Sequence, residues 1–398
     1  MKKTNLLLAT LAATLFASTA FADVAVKLGV LNDRSGVYSD ITGEGSVIAA
    51  QMAVEDFKPA EKGINVEIVS ADHQNKPDIA SNIARQWYDQ DGVDVILDVP
   101  TSSTALAVSD ITREKNKIFM NSGGGTSDLT GKACSPNTVH WTYDTWQLAN
   151  GTGSAVVKDG GKKWFFVVAD YAFGQALERD TSEVVKAAGG EVVGSVRHPF
   201  PGTDFSSFLL QAQSSGAEVI GFANAGGDTI NSIKQAAEFG IVQGGQKLAG
   251  LLVFINDIKS LGLETAQGLY LSETFYWDLN DQTREWSARF EEKAGKKPNM
   301  VQAGVYASVL HYLKAVDELD SKDATQVMAK MKEMPTDDPL FGKGEIRKDG
   351  RKIHPAYLFR VKSPDQSKGE WDLYELVSTI PAEEAFRPLD QGGCSLVQ

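Results

Sequence analysis

The chain has 398 residues, with 52 acidic side chains against 39 basic ones and a formal charge of −13. So acidic a chain repels phosphate backbones, and no Lys or Arg run concentrates a basic face, so nucleic-acid binding is excluded. Its length exceeds what one hydrophobic core usually organises, so two lobes are expected.

The chain opens with Lys2 and Lys3, an apolar run over residues 6–17, and Ala20-Phe21-Ala22 ahead of Asp23. This is an export leader with its three regions in order. The apolar run is shorter than the roughly twenty residues a membrane helix needs. Residues 1–22 therefore read as a signal peptide cleaved after Ala22, and no cysteine stands there to accept a lipid. Loss of the two leader lysines takes the charge from −13 to −15. The mature chain is expected in the periplasm, since no later stretch is apolar enough to cross a bilayer. Its two cysteines, Cys134 and Cys394, read as a disulfide in that oxidising compartment. Two unpaired thiols remain the alternative, because partner geometry is not written in sequence. Neither has a CxxC partner, so redox catalysis is not indicated.

From residue 24 onward, short β-rich runs alternate with longer helical patterns. Residues 24–31, 65–71, 94–99 and 117–121 read as strands, with helices over 46–57, 78–88 and 103–115 between them. Val95-Ile96-Leu97 and the later Phe165-Phe166-Val167-Val168 are continuous apolar runs, the pattern of parallel strands covered on both faces. A second series follows Tyr143-Asp144-Thr145, with a helix from Trp146 and strands at 164–169, 191–197, 218–223 and 248–254. Its helices fall at 174–187, 204–214 and 228–239, each closed by glycine. After an extended run at 268–277 come helices at 281–294, 301–319 and 324–331, then strands at 344–347, 356–361 and 373–377. Helices placed so late must cover a sheet already built, most simply the first. The fold class is therefore α/β, with two doubly wound open-sheet lobes joined by a three-crossover hinge. Residues 23–143 and 276–350 are assigned to an N-terminal lobe, and 144–275 and 351–398 to a C-terminal lobe.

Ligands of open α/β sheets bind beyond the carboxyl ends of the strands. The loops there are Asn32-Asp33-Arg34-Ser35-Gly36-Val37-Tyr38, Pro100-Thr101-Ser102-Ser103-Thr104 and Ser122-Gly123-Gly124-Gly125-Thr126-Ser127. Hydroxyls at a helix start beside a glycine run that bares backbone N–H groups suit a carboxylate. The competing reading is a plain N-cap and a turn.

These loops carry a resemblance. Leu31…Ser35-Gly36, Pro100-Thr101-Ser102-Ser103 leading into Ser109-Asp110, Ser122-Gly123-Gly124-Gly125…Leu129-Thr130 and Asp170-Tyr171-Ala172-Phe173-Gly174 resemble the leucine/isoleucine/valine-binding family of ABC-importer solute-binding proteins. The resemblance covers essentially the whole mature chain. It implies two type I periplasmic-binding lobes that close on a solute and deliver it to an inner-membrane permease. It also implies that Ser102 and the backbone at Gly123 and Gly125 hold a ligand carboxylate while Phe173 packs on the ligand. Two departures matter. Amino-acid binders of this family place an acid shortly after the last second-lobe strand to meet the ligand ammonium, and here Leu252-Val253-Phe254-Ile255-Asn256 stands there with Asp257 late. A buried ammonium without a counter-charge costs several kcal/mol. Gly125 also replaces a hydroxyl residue.

Tyr171, Phe173, Phe222 and Phe254 are available to the second-lobe wall, and Trp141, Tyr143, Phe275, Tyr276 and Trp277 to the crossovers. Rings around a carboxylate corner with no ammonium partner suit an aromatic acid, such as a benzoate or phenylpropanoid, better than leucine. Ser102, Ser103, Ser122, Gly123 and Gly124 are the expected first-lobe clamp. Tyr171, Phe173, Asn224 and Phe254 form the expected second-lobe wall. Arg34 is a bidentate carboxylate donor or a solvated loop arginine, and His73 bonds the ligand or, as preferred here, orients a neighbouring loop.

Enzyme readings fare worse. Gly43-Glu44-Gly45 with Asp72 lacks the third glycine of a dinucleotide fingerprint and lies too far beyond the first strand. The histidines His73, His140, His198, His311 and His354 form no HxxH or HExxH pattern, so no metal is expected. No Gly-x-Ser-x-Gly elbow exists and Ser102 has no evident base. The expectation is a monomeric, cofactor-free, non-enzymatic receptor for a small carboxylate. A branched-chain amino-acid binder and a ligand sensor for a chemotaxis or regulatory partner are the competing readings.

Overall fold

The computed structural model describes residues 24–397; the leader and its cleavage point lie outside them. In the first lobe, β1 (Val24–Asn32), α1 (Gly43–Phe57), β2 (Ile64–Asp72), α2 (Pro77–Asp89), β3 (Val95–Asp98), α3 (Ser102–Glu114), β4 (Ile118–Asn121) and β5 (Thr138–His140) alternate as expected. Their sheet is parallel throughout, in the order β2-β1-β3-β4-β5. Every residue of β3 and β4 is buried, which is why their sequences are apolar without alternation.

The chain then passes through α4 (Thr145–Leu148), a π-helical turn at Ala149–Gly153 and α5 (Ser154–Lys158) into the second lobe. There β6 (Lys163–Ala169), α6 (Ala172–Ala187), β7 (Glu191–His198), α7 (Ser206–Ser214), β8 (Val219–Ala223), α8 (Gly227–Glu238) and β9 (Lys247–Gly250) build a second parallel sheet, ordered β7-β6-β8-β9. This order repeats that of β2-β1-β3-β4, so the two lobes share a topology. Each has a switch point where its strand order reverses, beside β1 and beside β6, the places where such sheets open a crevice.

One expected strand is corrected. The run 248–254 leaves the sheet after Gly250, and 251–254 are a buried loop leading into α9 (Ile255–Leu261) and α10 (Leu263–Ala266). After β10 (Tyr270–Glu273), α11 (Asp281–Ala294) and α12 (Met300–Leu319) return to pack on α1, and α13 (Ala324–Glu333) packs on α12. The late helices do cover the first sheet. Then β11 (Thr336–Asp338), β12 (Gly342–Ile346) and β13 (Lys352–Ile353) form a small antiparallel sheet, and β14 (Ala356–Val361) and β15 (Tyr374–Ile380) pair antiparallel beside β10.

The chain thus changes lobe after β5, after β10 and after β13. These passages are tied together: Arg351, fully buried, pairs with Asp144 at 3.2 Å, and His354 Nε2 lies 3.1 Å from the Trp141 carbonyl. Cys134 and Cys394 are bonded, which pins the C-terminal tail to the first lobe. Among the described residues no helix is long and apolar enough to cross a membrane.

Candidate ligand-binding cleft

The carboxyl ends of the strands at both switch points face each other across a narrow cavity of about 20 Å³. From the first lobe come Tyr38, Ile41 and Thr42 after β1, Pro100, Thr101 and Ser102 after β3, and Gly123 and Gly125 after β4. Tyr143 enters from the first passage between lobes, and Tyr171, Phe173, Ala225, Leu252 and Phe254 come from the second lobe. Among the described residues, five aromatic rings and no charged side chain line it.

Local chemistry explains each placement. Asp33 curls the loop after β1 by accepting from the Gly36 and Tyr38 amides at 2.7 and 2.8 Å and from Asn75 Nδ2 at 2.6 Å. Tyr38 is thereby aimed at the second lobe, where its hydroxyl lies 2.7 Å from that of Tyr171. Phe200 stacks on both rings, with centroids 4.3 Å from Tyr171 and 5.6 Å from Tyr38. Tyr171 precedes α6, and Gly174 lets that helix press onto the end of β6: a Cβ there would fall 2.1 Å from the Ala169 carbonyl oxygen.

The floor is the start of α3. The Thr104 amide donates to the Thr101 carbonyl at 2.9 Å, but among the described residues the Ser102 and Ser103 amides have no acceptor, and the Thr101 side chain does not cap them. Its hydroxyl donates instead to Asn75 Oδ1 at 2.5 Å, and Asn75 is held by His73, whose Nδ1 accepts from the Asn75 amide at 2.9 Å. Burial pushes His73 down to about 4, so it is neutral near pH 7 and acts as an acceptor. Ser102 Oγ accepts from the Thr126 amide at 3.0 Å and keeps its own proton to donate.

The glycine run behaves differently from expectation. The Ser122 and Gly123 amides donate to the Asp98 carbonyl at 3.2 and 3.1 Å, and Gly124 donates to Asn121 Oδ1 at 2.9 Å. Among the described residues this leaves the Gly125 amide without an internal acceptor. Gly123 contributes its surface, and its carbonyl accepts from Tyr143 at 2.8 Å. Gly125 is required by its neighbours, since a Cβ there would lie 2.8 Å from Tyr143 Cε2 and 2.9 Å from Phe173 Cε2. That accounts for the missing hydroxyl residue.

Of the site residues expected from sequence, Ser102, Gly123, Tyr171, Phe173 and Phe254 come together around the cavity. Ser103, which is half-buried, and Gly124, which is buried, do not line it, and Ser122 is buried with its hydroxyl unpartnered. Asn224 sits beneath the second-lobe wall, bonded to Thr229, Ser232 and His198. Arg34 pairs with Glu44 of α1 on the rim. Asp257 is buried and accepts from the Phe254 amide at 2.9 Å, so its carboxylate is turned away from the cavity. Sequence reasoning did not select Tyr38, Ile41, Thr42, Thr101, Leu252 or Ala225, although the strand-end rule reaches the first four.

Two facing lobes with an aromatic cleft between them match a known architecture. Residues 25–370 fit the model of the periplasmic binding protein family. The chain belongs to that family. A relative, the Leu/Ile/Val-binding protein homolog 6 of Brucella melitensis, is 30% identical over 289 residues, 71% of this chain and 72% of that one. A crystal structure of a periplasmic binding protein from Burkholderia mallei is 52% identical, with a TM-score of 0.91 over 94% of this chain and 99% of that one. A branched chain amino acid ABC transporter periplasmic ligand-binding protein from Burkholderia xenovorans is 41% identical, with a TM-score of 0.84 over 94% of this chain and 100% of that one. The fold is shared, at 21% identity and a TM-score of 0.82 over 93% and 99% of the two chains, with a solute-binding protein from R. palustris in complex with benzoate. The chain is a periplasmic solute-binding protein of an ABC transporter and not an enzyme.

Proposed function

We propose that this protein binds a small aromatic carboxylate in the cleft and presents the closed complex to an inner-membrane ABC permease, working as a monomer after removal of residues 1–22. The observation that carries this reading is the cavity lining: five rings, an uncapped helix start and, among the described residues, no acidic side chain to meet an ammonium. The amides at the start of α3, the Gly125 amide and the Ser102 hydroxyl are the donors for the carboxylate, helped by the positive end of the helix dipole. Tyr143, Phe173 and Phe254 then supply ring surface. The lobes, taken as 23–143 with 276–350 and 144–275 with 351–398, hinge at the passages held by Arg351 and His354. A ligand touching both lobes stabilises the closed form by its greater affinity for it.

A branched-chain amino-acid ligand is the second reading, favoured by the Burkholderia xenovorans relative. Thermal shift with benzoate, 4-hydroxybenzoate, coumarate, leucine, isoleucine and valine separates the two. A ligand at 100 times its Kd adds about 2.7 kcal/mol of stability. Stabilisation by the aliphatic amino acids alone would overturn the aromatic reading. Ser102→Ala is expected to weaken every carboxylate alike, and unchanged affinity would remove that hydroxyl from the clamp.

A further inference from the structure

The floor of the cleft hides a polar cluster that the ligand reading does not use. Asn32, Ser46, Asp98 and Ser122 are sealed from solvent, and each carries one side-chain oxygen with no hydrogen-bond partner. Asp98 ends β3 in left-handed backbone, φ +77°, and its carboxyl holds a single hydrogen bond, from Asn32 Nδ2 to Oδ2 at 3.1 Å. Its unpartnered Oδ1 lies directly behind the cavity wall: a Cβ on Gly123 would fall 2.7 Å from it. One glycine separates this carboxyl from the ligand space.

We propose that Asp98 is a positioning residue that couples carboxylate binding to the uptake of one proton, so that affinity falls as pH rises through neutrality. The idea rests on the carboxylate reading above. Two anions on either side of a glycine, in a site with little water, repel strongly. No cation offsets them. β1 presents Asn32, α1 presents Ser46 and β4 presents Asn121 and Gly123, while α12, which also packs on β3, has neither acid nor base of the Asp, Glu, Lys, Arg or His kind from Met300 to Leu310. Tyr306 of that stretch is turned to Asp56, and on the cavity side the titratable groups are the phenols of Tyr38, Tyr143 and Tyr171, all kept neutral by burial. Burial pushes Asp98 up to about 7, and the hydrogen bond from Asn32 pulls it back in part. The free protein near neutral pH is therefore a mixture, and the protonated form is the one that tolerates an anion at Gly123.

If the bound form stays protonated, Kd rises about tenfold between pH 6 and pH 8. Two other carboxyls near the cleft are also pushed up to about 7 by burial, Asp228 and Asp257. Each accepts a backbone N–H, from Gly202 and Phe254 respectively, and neither lines the cavity.

The test is calorimetric titration of the mature protein with benzoate, 4-hydroxybenzoate, coumarate and leucine at pH 6, 7 and 8, in buffers of low and high ionisation heat. The acid that binds best is expected to lose about tenfold in affinity and, at pH 8, to take up close to one proton. Asp98→Asn is expected to give a flat pH profile with no uptake, while Asp228→Asn and Asp257→Asn keep the wild-type profile. A Kd independent of pH in the wild type, or uptake that survives Asp98→Asn, overturns the proposal and leaves the carboxylate reading intact. Failure of all four acids to bind at any pH overturns both. Should Asp98→Asn fail to fold, the wild-type profile and proton count decide, with Asp228→Asn and Asp257→Asn assigning them.

Discussion

The hydroxyl pair Tyr38 and Tyr171 joins one lobe to the other at 2.7 Å, both rings buried or nearly so and sandwiched by Phe200. Tyr38→Phe or Tyr171→Phe leaves the remaining hydroxyl without its partner in a dry site, at a cost of about 1–3 kcal/mol. In an open cleft both hydroxyls reach water, so the cost falls on the closed form alone. Ligand affinity, which depends on closure, is then expected to drop about 5- to 150-fold in either single variant. The double variant removes both groups, leaves nothing orphaned, and keeps the stacking on Phe200. Its affinity is expected to return toward wild type, with a coupling in the cycle at least as large as one single loss, about 1–3 kcal/mol. Calorimetric titration of wild type, both singles and the double measures this with whichever acid of the panel binds best. If the double loses the sum of the two singles, each hydroxyl serves the ligand separately and the interlobe bond contributes nothing to closure.

Three further outcomes are expected. Gly125→Ala drives a methyl to within 3 Å of Tyr143 and Phe173, so carboxylate binding should fall by tenfold or more, roughly the cost of a forced side-chain shift, with melting changed far less; unimpaired binding would show that the rings move freely. Replacing Cys134 and Cys394 by Ser frees a connection 260 residues long, which should cost about 2–5 kcal/mol of stability in denaturant unfolding while ligand affinity, measured below the transition, stays the same. Asp257 is held up at about 7 by burial, against about 3.9 in the unfolded chain. Its contribution is full below pH 4 and is lost as pH rises through 7, so Asp257→Asn should decline less in melting temperature between pH 5 and pH 8 than the wild type does.

Much of the fold was legible because its signals are local. The apolar runs of β3, β4 and β6 and the amphipathic helices between them fix a parallel α/β order, and repetition of that order revealed two lobes. The failures have physical causes. The run Leu251-Leu252-Val253-Phe254 is as apolar as a strand, but Leu252 and Phe254 are buried by walling the cleft while Leu251 and Val253 pack into the core, and sequence does not distinguish this from a strand's burial. β5, β11 and β13 are two or three residues long and partly polar, so they carry no periodicity. At the site, the strand-end rule found the loops but not which groups were free. Arg34 is engaged by Glu44 ten residues on, and Asn224 by a histidine from a different strand, pairings set by tertiary structure. Gly124 was expected to bare its amide, and Asn121 at the end of β4 takes it.

The loop between β3 and α3 concentrates the observations that bear on binding. Asp98, Val99 and Thr101 all adopt positive φ, and two of them are β-branched, for which that region is costly. Strain of this kind persists only where the surroundings enforce it. Here Asp98 accepts the Ser122 and Gly123 amides through its carbonyl, and Thr101 is drawn away from its capping role by Asn75. A threonine at a helix start ordinarily satisfies the first amides itself. Diverting it leaves the Ser102 and Ser103 amides without an acceptor at the edge of the cavity, which costs the free protein stability that an anion at the same place restores. On this argument Asn75→Ala, which releases Thr101 to cap α3, should stabilise the ligand-free protein relative to the complex and weaken carboxylate binding. Equal affinity in that variant would mean that the helix start is not where the anion sits.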